Sequence, residues 1–451
     1  MEKILCVSLG CDKNLVDTEN MLGVLKTKGY EFTDDNDEAD IVIINTCCFI
    51  HDAKEESINS IIEYGQLKEN GKLKGLIVTG CLAQRYKDEI EKELPEVDAL
   101  IGISSIDKIV EAVDACIEKH NSSKCDKNHV VYSSYEDISS PIDTFENRVS
   151  TLGGYTSYLK IAEGCDKNCT YCIIPKIRGK FRSIEMEHLL KEAKRLVDNG
   201  TKELILVAQE TTLYGVDLYG EKSLHKLLHE LGKIEGLVWI RLLYAYPEEI
   251  YDELIEEMTT NKKLCHYIDM PIQHASDNVL KRMGRRTNNS DLVNIITKLR
   301  ERIPDIVIRT TLISGFPGET EEDHKDLYNF IDEMEFDRLG VFTYSMEEDT
   351  PAALLPDQID EKVKEDRRDE IMELQQEIVF EKNESLIGKE VLVLIEGHIP
   401  NENAYIGRTY MDAPSVDGNI FITTDENLMS GDFVRAKITG SYEYDLIGEI
   451  I

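Results

Sequence analysis

The sequence predicts an α/β protein in three parts: an open parallel sheet, a partial barrel of six βα units and a small all-β barrel. Three observations predict this. Short runs rich in Val and Ile alternate with stretches of helical spacing through most of the chain. A polar, Ser-rich segment over 119–150 interrupts that series. From Ile387 onward, short strands are broken by Gly, Pro, Asp and Asn, with no helical period.

In the first part, residues 3–10 (KILCVSLG), 40–46 (DIVIINT) and 75–80 (GLIVTG) read as strands, with 98–103 (DALIGI) a weaker fourth. Helical stretches follow them, such as Leu15 to Lys28 and Ala53 to Leu67. Units of this size imply helices on both faces of a parallel sheet. The Ser-rich segment reads as a linker with one edge strand. The second series has strands at 158–164, 203–209, 238–245, 267–273, 306–315 and 338–345. That is six units, where a closed barrel of this kind needs eight. Residues 357–385 form a charged amphipathic helix, and the rest reads as a β-barrel. The expected divisions are 1–118, 119–150 (the linker), 151–382 and 383–451.

The chain has 451 residues, 41% hydrophobic and 31% charged, as a soluble globular protein of about three domains would have. No apolar run approaches the ~20 residues of a membrane helix. The start, MEKILCVSLG, reads as a strand and not as a signal peptide, so the expected location is the cytoplasm. A net charge of −36 repels nucleic-acid backbones and favours basic partners. Eleven cysteines, an odd number, point to metal binding or catalysis before a disulfide framework.

The tetrapeptide CDKN occurs three times, at Cys11, Cys125 and Cys165. The third copy opens GCDKNCTYC, in which Cys165, Cys169 and Cys172 follow a strand directly. Three thiolates on one tight loop can hold three corners of an iron–sulfur cubane and leave one iron open. Zinc would want a fourth ligand, and no further Cys or His stands nearby in sequence. The first copy has no neighbouring cysteine. However, Cys11, Cys47 and Cys81 each follow one of the first three strands, and in a parallel sheet these ends share an edge. Cys48 is adjacent to Cys47, and neighbouring side chains at a strand end point apart, so only one of the two is expected to be a ligand. Cys125 has no strand before it and reads as coincidence. Cys6, Cys116 and Cys265 read as core residues.

The loop C-x₃-C-x-Tyr-C at the end of the first barrel strand resembles the radical S-adenosylmethionine superfamily. The resemblance implies that Cys165, Cys169 and Cys172 are catalytic and hold a 4Fe-4S cluster. Its open iron would chelate S-adenosylmethionine, whose cleavage yields a 5′-deoxyadenosyl radical. Together with the second cysteine set and the terminal barrel, the chain is similar over nearly its whole length to the methylthiotransferases. These have a flavodoxin-like N-terminal domain, a (βα)6 partial TIM barrel as radical core and a C-terminal TRAM barrel. Asn-Thr-Cys in NTCCFIHDAKEES then favours Cys47 as ligand of a second 4Fe-4S cluster, with Cys11 and Cys81. The reaction implied converts C–H to C–S–CH₃ with two S-adenosylmethionine. It also requires a sulfur donor and a low-potential electron donor such as ferredoxin or flavodoxin.

Some methylthiotransferases modify a transfer RNA adenosine (MiaB-like). Others modify an aspartate of the small-subunit ribosomal protein numbered twelve (the RimO type), free or on the ribosome. Residues 386–451 carry four basic and eleven acidic side chains, a balance of −7. This suits a basic protein better than a phosphate backbone, so RNA is not expected as the primary contact. SLGCDKNLVDTE, VAQETTLYGVDLYG, MPIQHASDNVLKRMGRR, SGFPGETEED and GRTYMDAPSVDG also resemble the ribosomal-protein type. Asp12, Cys48, Met346 and Asp349 depart from its pattern, standing where proline, glycine, proline and glycine are usual. A reading from another class is a two-cluster electron carrier, but a carrier needs no barrel cavity.

Further candidates surround the radical loop. Lys176, Arg178, Lys180 and Arg182 form a basic patch, with Arg178 the candidate to balance a cluster or receive a carboxylate. Gln209 and Glu210 end the second barrel strand, where cofactor groups bind, although a helix cap would also explain them. Arg309 meets the cofactor carboxylate if it points into the barrel, and pairs with a helix carboxylate if it points out. Gly315 and Gly318 in SGFPGET would allow close approach to the cofactor, or serve a plain turn. His274 reads as a hydrogen-bonding residue and not a catalyst.

Overall fold

The computed structural model describes residues 2–71, 73–122, 129–400 and 402–451. Cys125 lies outside the described residues.

A parallel sheet covered on both faces needs apolar side chains at every strand position. The middle of the first sheet meets that demand, over Ile41–Ile44 and Leu76–Val78. β1 (Lys3–Ser8), β2 (Glu31–Phe32), β3 (Ile41–Thr46), β4 (Gly75–Gly80), β5 (Ala99–Ile101) and β6 (Tyr132–Ser134) pair in the order β2-β1-β3-β4-β5-β6. Successive side chains serve opposite faces. Leu5, Val42, Ile44, Leu76 and Val78 pack on one side, and Ile4, Ile41, Ile43 and Ile77 on the other. β2 is too short to show a pattern in sequence. β6 arises within the expected linker and extends the sheet beside β5.

The second sheet consists of β7 (Thr156–Lys160), β10 (Glu203–Val207), β11 (Trp239–Leu242), β12 (Leu264–Asp269), β13 (Val307–Ser314) and β14 (Arg338–Thr343). A two-strand pair, β8 (Ala162–Glu163) with β9 (Arg182–Ser183), follows β7. The six parallel strands lie in sequence order and do not close, since β7 and β14 are not paired. Leu159, Leu204, Leu206, Ile240, Ile268 and Ile308 face the surrounding helices. Tyr158, Ile205, Val207, Trp239, Tyr267 and Val307 face the other way and pack against the terminal domain.

Helix Glu361–Leu386 starts at Asp360, whose carboxylate accepts from the Lys362 amide. It leads into β15 (Glu390–His398), β16 (Ala404–Arg408), β17 (Ile420–Thr423), β18 (Phe433–Tyr442) and β19 (Asp445–Ile450), a closed barrel ordered β15-β16-β17-β19-β18. Closure leaves no free strand edge.

Two junctions fix the parts together. Glu203 bonds Arg241 at 3.0 Å and Arg408 at 2.6 Å, all three fully buried. Arg338 reaches Asp412 at 2.6 Å in the same junction with the terminal barrel. Removing one partner of such a pair strands a buried charge, at roughly 3–5 kcal/mol. The other junction uses helix Asp12–Thr27, which buries Asp17 and Glu19. Glu19 holds Arg148, and Asp17 holds Lys160 of β7. The helix thus buries an ionic face as well as its apolar one. Among the described residues no helix is long and apolar enough to cross a membrane.

Candidate active site

The loop cysteines follow β8. Gly164 turns the chain with φ +80°, and a Cβ there would meet the Lys180 carbonyl oxygen at 2.1 Å. The loop is then pinned from outside. The Cys165 amide donates to Gly179 O at 3.2 Å, and the Thr170 amide to Met283 O at 2.9 Å. The Cys172 amide closes the turn on Cys169 O at 3.0 Å. Cys165 and Cys169 are buried, and Cys172 is half-buried. Burial pushes the Cys165 thiol up to about 11 and the Cys172 thiol up to about 12.

The second set is built by topology. Cys11, Cys47 and Cys81 follow β1, β3 and β4, which are adjacent strands with Ser8 opposite Asn45 and Thr46 opposite Gly80. Gly10, at φ +84°, lies against Cys47: a Cβ would stand 2.6 Å from its Cβ and 2.8 Å from its Sγ. Asn14 ties the edge together. Its Nδ2 donates to Leu9 O at 2.9 Å and to Thr46 O at 3.0 Å, and its Oδ1 lies 4.0 Å from Cys81 Sγ. Burial first, then the neighbouring Cys81, pushes the Cys47 thiol up to about 12. Cys48 is fully buried in the apolar core with Val42 and Leu82, so Cys47 is the one beside Cys11.

Thiolates, not thiols, ligate metals, so loading either set must release protons. Among the described residues no group of three His, Cys, Asp or Glu is arranged to hold a single metal ion. The two sets instead offer sulfur-only donors, which suit iron–sulfur clusters.

The remaining candidates separate on their contacts. Glu210 stands by the radical loop: Thr212 holds its Oε1, while its Oε2 is buried without a hydrogen-bond partner among the described residues, 3.8 Å from Lys167. Burial pushes its carboxyl up to about 7. Gln209 lines the loop from below, accepting from the Gly164 amide at 2.9 Å. Arg178 is drawn away from the radical loop to the other cysteine set, 3.4 Å from Cys81 Sγ. Arg309 is paired with carboxylates of the protein. It reaches Asp269 at 2.8 Å on the adjacent strand and Asp417 of the terminal barrel at 3.4 Å. Its charge is therefore answered within the protein. At Gly315 the amide is taken by Glu319 Oε2 at 2.7 Å and a Cβ would strike Lys364 at 2.2 Å. Gly318 faces Arg282 in the same way. These glycines fit a packed turn, not an open approach to a ligand. His274 is fully buried, its Nδ1 accepting from the Ser276 amide at 2.9 Å.

One residue was not singled out from the sequence. Arg285, in MGRR, lies over the Tyr246 ring with Nη1 4.0 Å from Cys169 Sγ and Nε unpartnered among the described residues. The doubled arginine was its only signal. A buried cation by Cys169 and an under-satisfied carboxylate by the same loop make a cradle of both charges, as an amino acid's amino and carboxylate groups require.

Three segments match known families. Residues 3–102 match an uncharacterised protein family, UPF0004; residues 159–331 match the radical SAM superfamily; residues 387–451 match a TRAM domain. A protein of Lachnoclostridium phytofermentans described as ribosomal protein uS12 methylthiotransferase RimO is 59% identical over 446 residues, 99% of each chain. One so described from Acetivibrio thermocellus is 53% identical, covering 100% of this chain and 98% of its own. Among solved structures, the radical S-adenosylmethionine methyltransferase TsrM from Kitasatospora setae superposes with a TM-score of 0.53 at 15% identity, covering 78% of this chain and 77% of TsrM. That likeness concerns the fold alone. With full-length identity above half to proteins of one kind, and a radical SAM segment at its centre, the chain belongs to the RimO family of radical S-adenosylmethionine methylthiotransferases.

Proposed function

We propose that this protein methylthiolates the β-carbon of an aspartate in ribosomal protein uS12, in the cytoplasm, using S-adenosylmethionine and two 4Fe-4S clusters. The observation that carries this reading is the presence of two separate sulfur-only sets at neighbouring sheet edges.

When bound, the loop cluster with S-adenosylmethionine supplies a 5′-deoxyadenosyl radical able to take hydrogen from an unactivated carbon. The protein's part is to hold and orient. Cys165, Cys169 and Cys172 ligate that cluster. Glu210 Oε2 accepts the cofactor's ammonium, and Arg285 faces its carboxylate. Cys11, Cys47 and Cys81 would hold the second cluster, which would supply the sulfur chemistry. An external low-potential electron donor and a sulfur donor complete the stoichiometry.

Charge supports a protein substrate over transfer RNA. Arg408, one of the four basic side chains of residues 386–451, is turned inward against Glu203. Lys437 stands directly opposite Glu390 on one neighbouring strand and Glu449 on the other. The terminal barrel therefore presents no basic stripe to a phosphate backbone. The test is to incubate the anaerobically reconstituted protein with S-adenosylmethionine, a reductant and either uS12 or transfer RNA, then to read methylthio addition by mass spectrometry. Modified uS12 is expected. Modified RNA beside unmodified protein would overturn the choice of substrate.

A further inference from the structure

Arg178 ends the short helix Ile174–Arg178, which begins just after Cys172. In sequence it belongs to the radical loop. In space its guanidinium, 1% exposed, is spent on the other cysteine set. Nη2 lies 3.4 Å from Cys81 Sγ and 2.5 Å from Asn14 Oδ1. Nη1 donates to Glu163 Oε2 at 2.9 Å and to Asp17 Oδ2 at 3.2 Å. Glu163 Oε1 accepts from Gln209 Nε2 at 2.8 Å, and Gln209 Oε1 accepts from the Gly164 amide at 2.9 Å. Gly164 immediately precedes Cys165. A buried hydrogen-bonded chain thus runs from a sulfur of one set to the backbone that carries the other.

Burying a guanidinium is costly unless its charge and donors are answered. Here Arg178 and Lys160 balance Asp17 and Glu163, so the cluster of charges is closed before any sulfur is counted. The contact with Cys81 is therefore additional. It uses the planar fork of arginine, which addresses Asn14, Asp17, Glu163 and Cys81 at once, as a lysine ammonium on the same stem would not. A donor aimed at a ligand sulfur stabilises the more negative, reduced state of an iron–sulfur centre.

We propose that Arg178 is a positioning residue by which the radical domain orients Cys81 and sets the reduction potential of the second centre. The proposal rests on the reading that Cys11, Cys47 and Cys81 hold a cluster. The same chain makes the barrel mouth and the sheet edge one unit, so that a shift of the radical loop is felt at Cys81.

The test uses the full chain with Cys165, Cys169 and Cys172 replaced by Ala, so that only the second cluster contributes to the signal. Iron content and an EPR-monitored redox titration are compared for Arg178, Arg178→Lys and Arg178→Gln. The expected result is retained iron, a midpoint shifted to lower potential in Arg178→Gln, and partial recovery in Arg178→Lys. Retained iron with the same midpoint in all three would overturn the proposal. Absence of iron in the parent would instead overturn the reading of the three strand-end cysteines. If both substitutions collapse the fold, Glu163→Gln decides. It releases Arg178 from one carboxylate and must also move the midpoint, and an unmoved midpoint there overturns the proposal.

Discussion

The two cysteine sets are built in opposite ways. The loop set lies within residues 165–172, and its shape is fixed by local turns and a few external pins. The strand-end set draws on residues 11 to 81, and its shape is fixed by sheet register and by one asparagine. The first is a motif that carries its own geometry. The second exists only once the sheet has formed, so substitutions that contact no metal can destroy it.

The largest expected effect separates the sets by chemistry. Replacing Cys165, Cys169 and Cys172 with Ala removes cleavage of S-adenosylmethionine, followed as 5′-deoxyadenosine. Replacing Cys11, Cys47 and Cys81 with Ala leaves cleavage in place and abolishes the methylthio product.

The two CDKN asparagines give the next contrast. Asn14 is fully buried and bonded to two strand ends, so Asn14→Leu should cost about 2–4 kcal/mol in urea unfolding and remove the strand-end iron. Asn168 stands at φ +54°, and its side chain donates to Asp166 O two residues away. Asn168→Leu should cost about 1 kcal/mol, the strain of a left-handed backbone. Equal costs at the two positions would break the comparison.

Two buried carboxylates near the sets should respond oppositely to pH. At Glu163 burial alone would raise the pKa, but Arg178 and Lys160 hold it well below the usual range. At Glu210 burial wins, and the carboxyl rises to about 7. A raised acid favours the fold while protonated, so its contribution is full below the unfolded pKa of about 4.5 and is lost as pH rises through about 7. Denaturation midpoints measured across that window should fall with pH from this group, and Glu210→Gln should flatten the decline.

The smallest effect belongs to the cysteines outside both sets. Cys48→Ala should cost about 1 kcal/mol of packing and leave iron unchanged. Cys125→Ser should leave iron unchanged.

Much of this was legible in the sequence, for identifiable reasons. The βα alternation and the loop motif are local, so they survive without coordinates. The strand-end set was legible because topology alone places adjacent parallel strand ends together. The contacts of Arg178 and Arg309 were not legible because each is decided by a distant segment: Cys81 and Asn14 for one, Asp417 for the other. Arg285 was missed because nothing local marks it as facing Cys169. The glycines of SGFPGET were visible, but their cause, the side chains of Lys364 and Arg282, was not. Asp349 shows the converse. It stands at φ +65°, a conformation suited to the glycine that the family resemblance leads one to expect there.

The central claim is that two differently built cysteine sets each hold their own cluster. The most direct measurement is iron per chain after anaerobic reconstitution of the wild-type protein and of the two triple-Ala variants. The account predicts about eight iron atoms for the wild type and about four for each variant. Either variant holding eight, or the strand-end variant holding no fewer than the wild type while the loop variant holds none, would contradict it.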